Sequence, residues 1–249
     1  DRSIIREFRV SIWNAFTKAV KTYELIQPGD RIAVCVSGGK DSMLMAKCMQ
    51  HFQKYGNIPF KLEFLCMNPG YAEENWNQIQ KNAEILQLPL RTFQTRIFEV
   101  VNKQERHPCY LCARMRRGHL YEAAKNLGCN KIALGHHFDD VIETILMGML
   151  YGSQTQTMMP KLHSANFSGM ELIRPLYFMR EADVIQWAEF HHLKFIQCAC
   201  RMTQEHPEQE TASKRKETKA LIAQLKKTNP DVEKNIFNSV CNVNLRTII

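Results

Sequence analysis

The chain has 249 residues, 45% of them hydrophobic and 23% charged, with a formal net charge of +8 and a pI near 9.0. That length allows one sizeable α/β domain with appendages or two small ones. The composition excludes disorder throughout, and no run approaches the roughly 18 apolar residues of a membrane span. The basic balance leans toward a polyanionic partner, because such a surface raises the local concentration of phosphates.

Ile4, Ile5, Phe8, Ile12, Phe16, Val20 and Leu25 recur at helical spacing, which predicts one amphipathic helix over residues 3–26, ended by Pro28-Gly29-Asp30. The pattern then alternates. Strands are expected at 31–36, 61–67, 90–95 and 131–134, and helices at 41–55, 73–87, 111–127 and 138–151. Short strands alternating with helices of about a dozen residues predict a doubly wound, mostly parallel α/β sheet, whose ligands sit at the carboxyl ends of the strands. Residues 152–170, rich in Gly, Ser, Thr and Met, read as a loop or a pair of weak strands, and helices near 180–192 and 209–228 close the chain. Three segments are expected: residues 1–28 as a helical extension, 29–195 as the nucleotide domain, and 196–249 as a basic, cysteine-containing helical segment.

After the apolar run Ile32-Ala33-Val34 comes Ser37-Gly38-Gly39-Lys40-Asp41-Ser42. A glycine-rich turn between a strand and a helix gathers backbone N–H groups at the helix's positive end, where anions bind. Glycine lets a phosphate approach without a Cβ in the way. Lys40 can neutralise phosphate charge, and Asp41 can hold Mg²⁺ or cap the helix. The loop matches neither G-x-x-x-x-G-K-[ST] nor G-x-G-x-x-G.

Nine cysteines in a chain of this length, which opens on no signal-like apolar segment, read as those of a cytoplasmic enzyme rather than of a disulfide scaffold. Cys35, Cys48 and Cys66 stand among apolar neighbours and read as core; Cys129 and Cys241 stand alone near turns. Cys109 and Cys112 form a C-x-x-C pair after Pro108, and Cys198-Ala199-Cys200 follows later. Four such thiols suit Zn²⁺, three suit an iron–sulfur cluster with one open iron, and a redox couple is the alternative. Arg106, Arg114, Arg116 and Arg117 flank the first pair and can lower its thiol pKa values or contact RNA phosphates. Around 213–227, six basic side chains including Lys214, Arg215 and Lys216 face Glu217 alone, forming a second RNA candidate or a solvated helix face.

SGGKDS resembles the signature of PP-loop ATP pyrophosphatases, which cleave ATP to AMP and pyrophosphate. Together with Cys109-x-x-Cys112-x-Arg114-x-Arg116-Arg117-Gly118, the run Lys131-Ile132-Ala133-Leu134-Gly135-His136-His137-Phe138-Asp139-Asp140, Pro160-Lys161-Leu162 and Ile173-Arg174-Pro175-Leu176, it resembles the tRNA 2-thiocytidine synthetase family over residues 29–200.

This resemblance implies an ATP-dependent tRNA sulfurtransferase that adenylates a pyrimidine C2 oxygen, that of cytidine, and replaces it with sulfur. Ser37 to Ser42, Met67, Gly135, His136 and Asp140 are then the expected nucleotide contacts, with Lys40, Asp41, Cys109 and Cys112 catalytic. A [4Fe–4S] cluster is implied on Cys109, Cys112 and Cys198, or on Cys200 in place of Cys198. Asp139 or Asp140 is a candidate for Mg²⁺. The implied partners are tRNA, a sulfur donor such as a cysteine desulfurase or sulfide, and a second copy in a homodimer, with no membrane.

The chain departs from the family in having C-x-C where C-x-x-C is usual, and Asn68-Pro69-Gly70 where Asn-Leu-Asp is common. The alternatives are a PP-loop thiolase or ligase acting on another RNA base or a small molecule, and a zinc-stapled RNA-binding module.

Overall fold

The computed structural model describes residues 2–101, 108–196, 214–244 and 246. The single N-terminal helix expected at 3–26 is instead two helices, α1 (Arg2–Ile5) and α2 (Asn14–Thr22), joined through a π-helical turn at Arg9–Trp13. The cause is geometric. Phe8, Ile12 and Phe16 are all buried, and a spacing of four drifts about 40° per step round an α-helix. The wide turn, with Trp13 N–H bonded to Phe8 O at 3.2 Å, takes that drift back.

Strand β1 (Arg31–Cys35) follows, then α3 (Lys40–Tyr55), β2 (Lys61–Asn68), α4 (Glu73–Ile85), β3 (Leu90–Gln94), α5 (Ile97–Val101) and α6 (Pro108–Asn126). Next come β4 (Lys131–Ala133), α7 (Phe138–Gly152), β5 (Lys161–His163), β6 (Glu171–Ile173) and α8 (Glu181–Phe190); α9 (Lys214–Thr228) and α10 (Val232–Ser239) end the described chain. Strand order is β3-β2-β1-β4-β6-β5, parallel throughout except that β5 runs antiparallel to β6.

Each central strand has no wet face. Ile32 and Val34 of β1 join Phe64, Cys66, Ala133 and Ile173 in a core covered by α2, α3, α4, α7 and α8. Ala33 and Cys35 join Leu65, Ile132 and Leu172 in a second core on the other face, closed by Tyr121 and Ala124 of α6. Burial on both faces accounts for the near-continuous apolar runs that mark these strands in the sequence. The chain winds outward from β1 to β3, then crosses back to β4 on the other side of β1. A crevice therefore opens between the carboxyl ends of β1 and β4.

At the opposite, amino edge, Lys131 is 1% exposed and lies 2.7 Å from Asp30 Oδ2 and 3.2 Å from Glu171 Oε2. Its ammonium also donates to Leu25 O. Burial alone would raise the Asp30 carboxyl, but hydrogen bonds from Lys131, Asn130 and Gln27 outweigh it and hold the group below its ordinary value. One ammonium thus ties the starts of β1, β4 and β6 together.

No helix among the described residues is long and apolar enough to cross a membrane. Replacing Lys131 with Met leaves the buried Asp30 carboxylate without its counter-charge, while the half-buried Glu171 keeps Lys161. The variant should lose about 3 kcal/mol of stability, read as a lower urea midpoint at unchanged m-value.

Candidate active site

The SGGKDS turn links β1 to α3 at the crevice, and its shape comes from its own side chains. Ser42 Oγ accepts from Ser37 N–H at 3.1 Å and donates to Gly39 O at 2.9 Å. Gly38 sits at φ +89°, and a Cβ there would lie 2.5 Å from Ile79 Cγ1. Gly39 is the N-cap of the 16-residue α3 and brings no side-chain cap, so first-turn N–H groups remain to receive an anion.

Gly135, just past β4, sits so near the turn that a Cβ would meet Ser42 N at 3.0 Å. A cleft of about 330 Å³ runs between them, lined by Ser37, Asp41, Met67, Gly135, His136 and Asp140. It shares Ser37, Asp41, Tyr71 and Arg116 with a second lobe of about 530 Å³ that adds Gly39, Lys40 and Glu181. The two lobes therefore gather Ser37 through Ser42, apart from Gly38, with the nucleotide contacts expected from the second and fourth strands.

Electrostatics divide the acidic residues by role. Burial pushes the Asp41 carboxyl above its ordinary value, against the pull of Lys40 and His137, and Asp140 adds to the rise. Asp41 Oδ1 is buried without a hydrogen bond, in ion-pair range of Lys40 at 3.4 Å and His137 at 3.7 Å. An oxygen so placed beside a second carboxylate fits a divalent cation, which would relieve both effects.

Asp140 Oδ2 accepts from His137 N–H, and His137 Nδ1 accepts from Asp140 N–H, in a capping box that starts α7. Asp140 Oδ1 is 2.6 Å from Arg215 of α9. Asp139, the other Mg²⁺ candidate, instead accepts from Glu181 N–H at 2.7 Å and pairs with Arg180, which joins α7 to α8.

Burial, reinforced by Arg174, holds His136 neutral, its pKa pushed down to about 4. Its Nδ1 lies 3.4 Å from Arg174 Nε, which donates to it; the bond assigns the ring proton to Nε2. Arg174, itself 8% exposed, also donates to Met159 O.

Tyr71 and Glu181 carry no signal in the sequence, and Arg116, expected there to serve the thiols or RNA, stands in the nucleotide cleft. After β2, Asn68 Oδ1 accepts from Gly70 and Tyr71 N–H at 3.0 and 2.8 Å. This turn replaces the Asn-Leu-Asp of the resembled family and brings Tyr71 OH to Ser37 O at 3.4 Å. Arg116 lies over the Tyr71 and Phe98 rings and donates to Tyr71 OH at 3.3 Å, so it belongs to the nucleotide cleft. Glu181 pairs with Lys40 at 3.2 Å and with Lys219 of α9. Burial alone would raise Glu181, but Lys219 and Lys40 hold it at about 2.

The basic helix around 213–227 spends much of its charge inward. Arg215 binds Asp140 and Glu143, Lys219 binds Glu181, Lys226 binds Glu233, and Lys214 lies over the Tyr151 ring.

Cys35, Cys48, Cys66 and Cys129 are buried, with burial pushing their thiols upward, that of Cys35 to about 12. Cys35 lines the cleft but stays a thiol donating to Ala33 O. Cys112 is partly buried against Met67, Phe98 and Val101, in the first turns of α6, and Cys109 stands three positions earlier on the same helix. Cys109, Cys112, Arg116 and Leu120 recur at three- and four-residue steps, which form one stripe of a helix, and the last two line the cleft. Cys198, Cys200 and Arg106 lie outside the described residues. Ile196, just before residue 197, packs at Gly38 and lines the lobe that holds Lys40.

A methyl group on Gly135 would push against the Ser42 backbone, so Gly135→Ala should weaken ATP binding at least tenfold by titration calorimetry. Glu181, held below its ordinary value, stabilises the fold above pH 4.5, and that contribution is lost as pH falls toward 2. Lys219→Met should therefore flatten the fall in urea midpoint over that acid range.

A PP-loop domain family matches residues 10–205. The chain is 32% identical over 242 residues to the tRNA-cytidine(32) 2-sulfurtransferase of Anaeromyxobacter dehalogenans, covering 96% of this chain and 81% of the relative. It is 33% identical over 236 residues to the protein of that name from Syntrophotalea carbinolica, covering 93% and 88%. A solved structure, the U34-tRNA thiolase NcsA from Methanococcus maripaludis with its [4Fe-4S] cluster, superposes with a TM-score of 0.70 at 23% identity, covering 95% of this chain and 79% of that one, a likeness of fold. With the family matched across most of this chain and these relatives covered over four fifths or more of their length, the chain belongs to the PP-loop family, on the branch of the tRNA-cytidine(32) 2-sulfurtransferases.

Proposed function

We propose that this chain is an ATP-dependent tRNA sulfurtransferase that adenylates the C2 oxygen of a cytidine and exchanges it for sulfur. The observation that carries this reading is the stripe on α6. By helical spacing Cys109 and Cys112 share a stripe with Arg116 and Leu120, and those last two line the cleft, which supports sulfur chemistry beside nucleotide chemistry.

The turn from Ser37 to Ser42 receives the phosphates of ATP, its glycines giving clearance and its N–H groups and Lys40 giving charge. Asp41 and Asp140 would hold Mg²⁺, which would supply charge neutralisation for the phosphates. The C2 oxygen attacks the α-phosphorus, the bond to the β-phosphate breaks, and pyrophosphate leaves. A carbonyl oxygen is a poor leaving group and an adenylate a good one, so sulfur then attacks C2, the C–O bond breaks and AMP departs.

His136, neutral at physiological pH, offers an Nε2–H hydrogen bond without adding charge, and Arg116 supplies the cation on the cysteine side of the cleft. Cys109 and Cys112 stand at the positive end of α6, which favours thiolates. The donor set fits an iron–sulfur cluster: two cysteines one turn apart here, and the segment leading to Cys198 and Cys200 entering beside the turn at Ile196. A [4Fe–4S] cluster bound by Cys109, Cys112 and either Cys198 or Cys200 would supply an open iron as the carrier of the transferred sulfur.

Protein purified anaerobically should be brown and should release pyrophosphate only when tRNA is added. A colourless protein with stoichiometric zinc would exclude the cluster. Cys109→Ala should remove both colour and 2-thiocytidine formation, read by nucleoside mass spectrometry, while ATP affinity stays within about threefold of wild type.

A further inference from the structure

Helix α6 has a second face. Tyr110, Arg114, Arg117 and Tyr121 recur at steps of four and three and form a stripe displaced one residue, about 100°, from that of the cysteines and Arg116. This stripe lines a separate groove of about 670 Å³, whose other wall is the β5–β6 hairpin with His163, Asn166 and Phe167. The hairpin is fixed there, since Phe167 stacks on buried Tyr121 at 4.9 Å with the rings 8° from parallel. Phe167 N–H also bonds to Ser164 Oγ at 3.2 Å.

Three observations indicate what the groove receives. Its lining contains two arginines and no carboxylate, and neither Arg114 nor Arg117 has an ion-pair partner among the described residues, although both are exposed. Tyr110 is 68% exposed at the end of the groove next to the cysteines. Gly118, in the middle of a 19-residue helix, lines the groove, and a Cβ there would touch nothing within 4 Å. Glycine weakens a helix interior, and no described neighbour requires it here, so clearance for something outside the chain accounts for it.

We infer that this groove is the docking site for single-stranded nucleotides of the tRNA substrate flanking the modified base. Arg114 and Arg117 take their phosphates, and Tyr110 stacks on a base. This rests on the sulfurtransferase reading and adds a location to it. The strand is held on one face of α6 while the target nucleotide crosses the helix to the cleft on the neighbouring face, a distance set by a helix about 10 Å across. The basic helix α9, with Arg215, Lys219 and Lys226 engaged by carboxylates, is the weaker anchor.

The test is binding of the cognate tRNA transcript to the full chain over a KCl series. Arg114→Ala with Arg117→Ala should raise Kd at least tenfold and reduce the slope of log K against log salt by about 1.4, the share of two single-strand phosphate contacts. Affinity for ATP should not change. Tyr110→Ala should cost about tenfold in tRNA affinity at unchanged salt slope. Gly118→Ala should raise the melting temperature yet weaken tRNA binding, whereas a glycine kept for folding would lower the melting temperature when replaced.

If the double alanine variant fails to fold, the double Lys variant should fold and retain the wild-type slope. Wild-type affinity and slope in a folded double alanine variant would overturn the groove while leaving the sulfurtransferase reading intact. A wild-type protein that neither binds tRNA nor releases pyrophosphate with it would overturn both.

Discussion

The contact on which this site depends is the approach of Gly135 to the backbone of Ser42, where even a methyl group would come within 3.0 Å of a peptide nitrogen. It requires β1 and β4 to be adjacent, although 95 residues of chain separate the end of β1 from the start of β4, by way of four described helices and two strands. The pairing of Val34 with Ala133 brings both carboxyl ends to the same level. The nucleotide half of the site hangs from those two ends: the anion-binding turn from one, and His136 and the capped start of α7 from the other.

Around that contact the charges form a chain rather than a set of separate pairs. Lys40 shares Glu181 with Lys219, and Asp140 shares Arg215 with Glu143. Two of these cations, Arg215 and Lys219, belong to α9, far along the chain from the turn. An anion entering the cleft meets a lysine and an arginine already balanced by carboxylates, so binding is an exchange of partners rather than the filling of a bare positive hole. Such exchange tempers the desolvation cost of each charge, because none is stripped of its solvent without a partner.

The alternation of strands and helices and the position of the anion-binding turn were legible in the sequence because they depend on local pattern: buried runs, helical spacing, and glycine between a strand and a helix. Cys35 was legible as core for the same reason. Strand β6 was not, since its three residues follow a stretch rich in Gly and Ser, and its burial comes from β4 rather than from any periodicity of its own. Helix α5, five residues long, and α10 offered equally little local signal.

The site was half legible for a related reason. Residue type announced Lys40, Asp41 and the cysteines, whereas Tyr71, Glu181 and the inward turn of Arg215 depend on contacts between distant segments. Arg116 stood in plain view among arginines, but its expected role was with the thiols or RNA, and only its contacts with Tyr71 and Phe98 assign it to the nucleotide cleft.

The four-residue step from Cys112 to Arg116 makes α6 a ruler. A helix advances about 1.5 Å and turns about 100° per residue, so the count from Cys112 to Leu120 fixes both how far apart these positions stand and on which side of the helix. Substitutions at outward positions of this segment change chemistry one residue at a time. A single insertion or deletion between Cys112 and Arg116 would instead swing every later side chain about 100° round the helix, so that neither the cleft nor the groove kept its lining. In this stretch, length is under tighter physical constraint than identity.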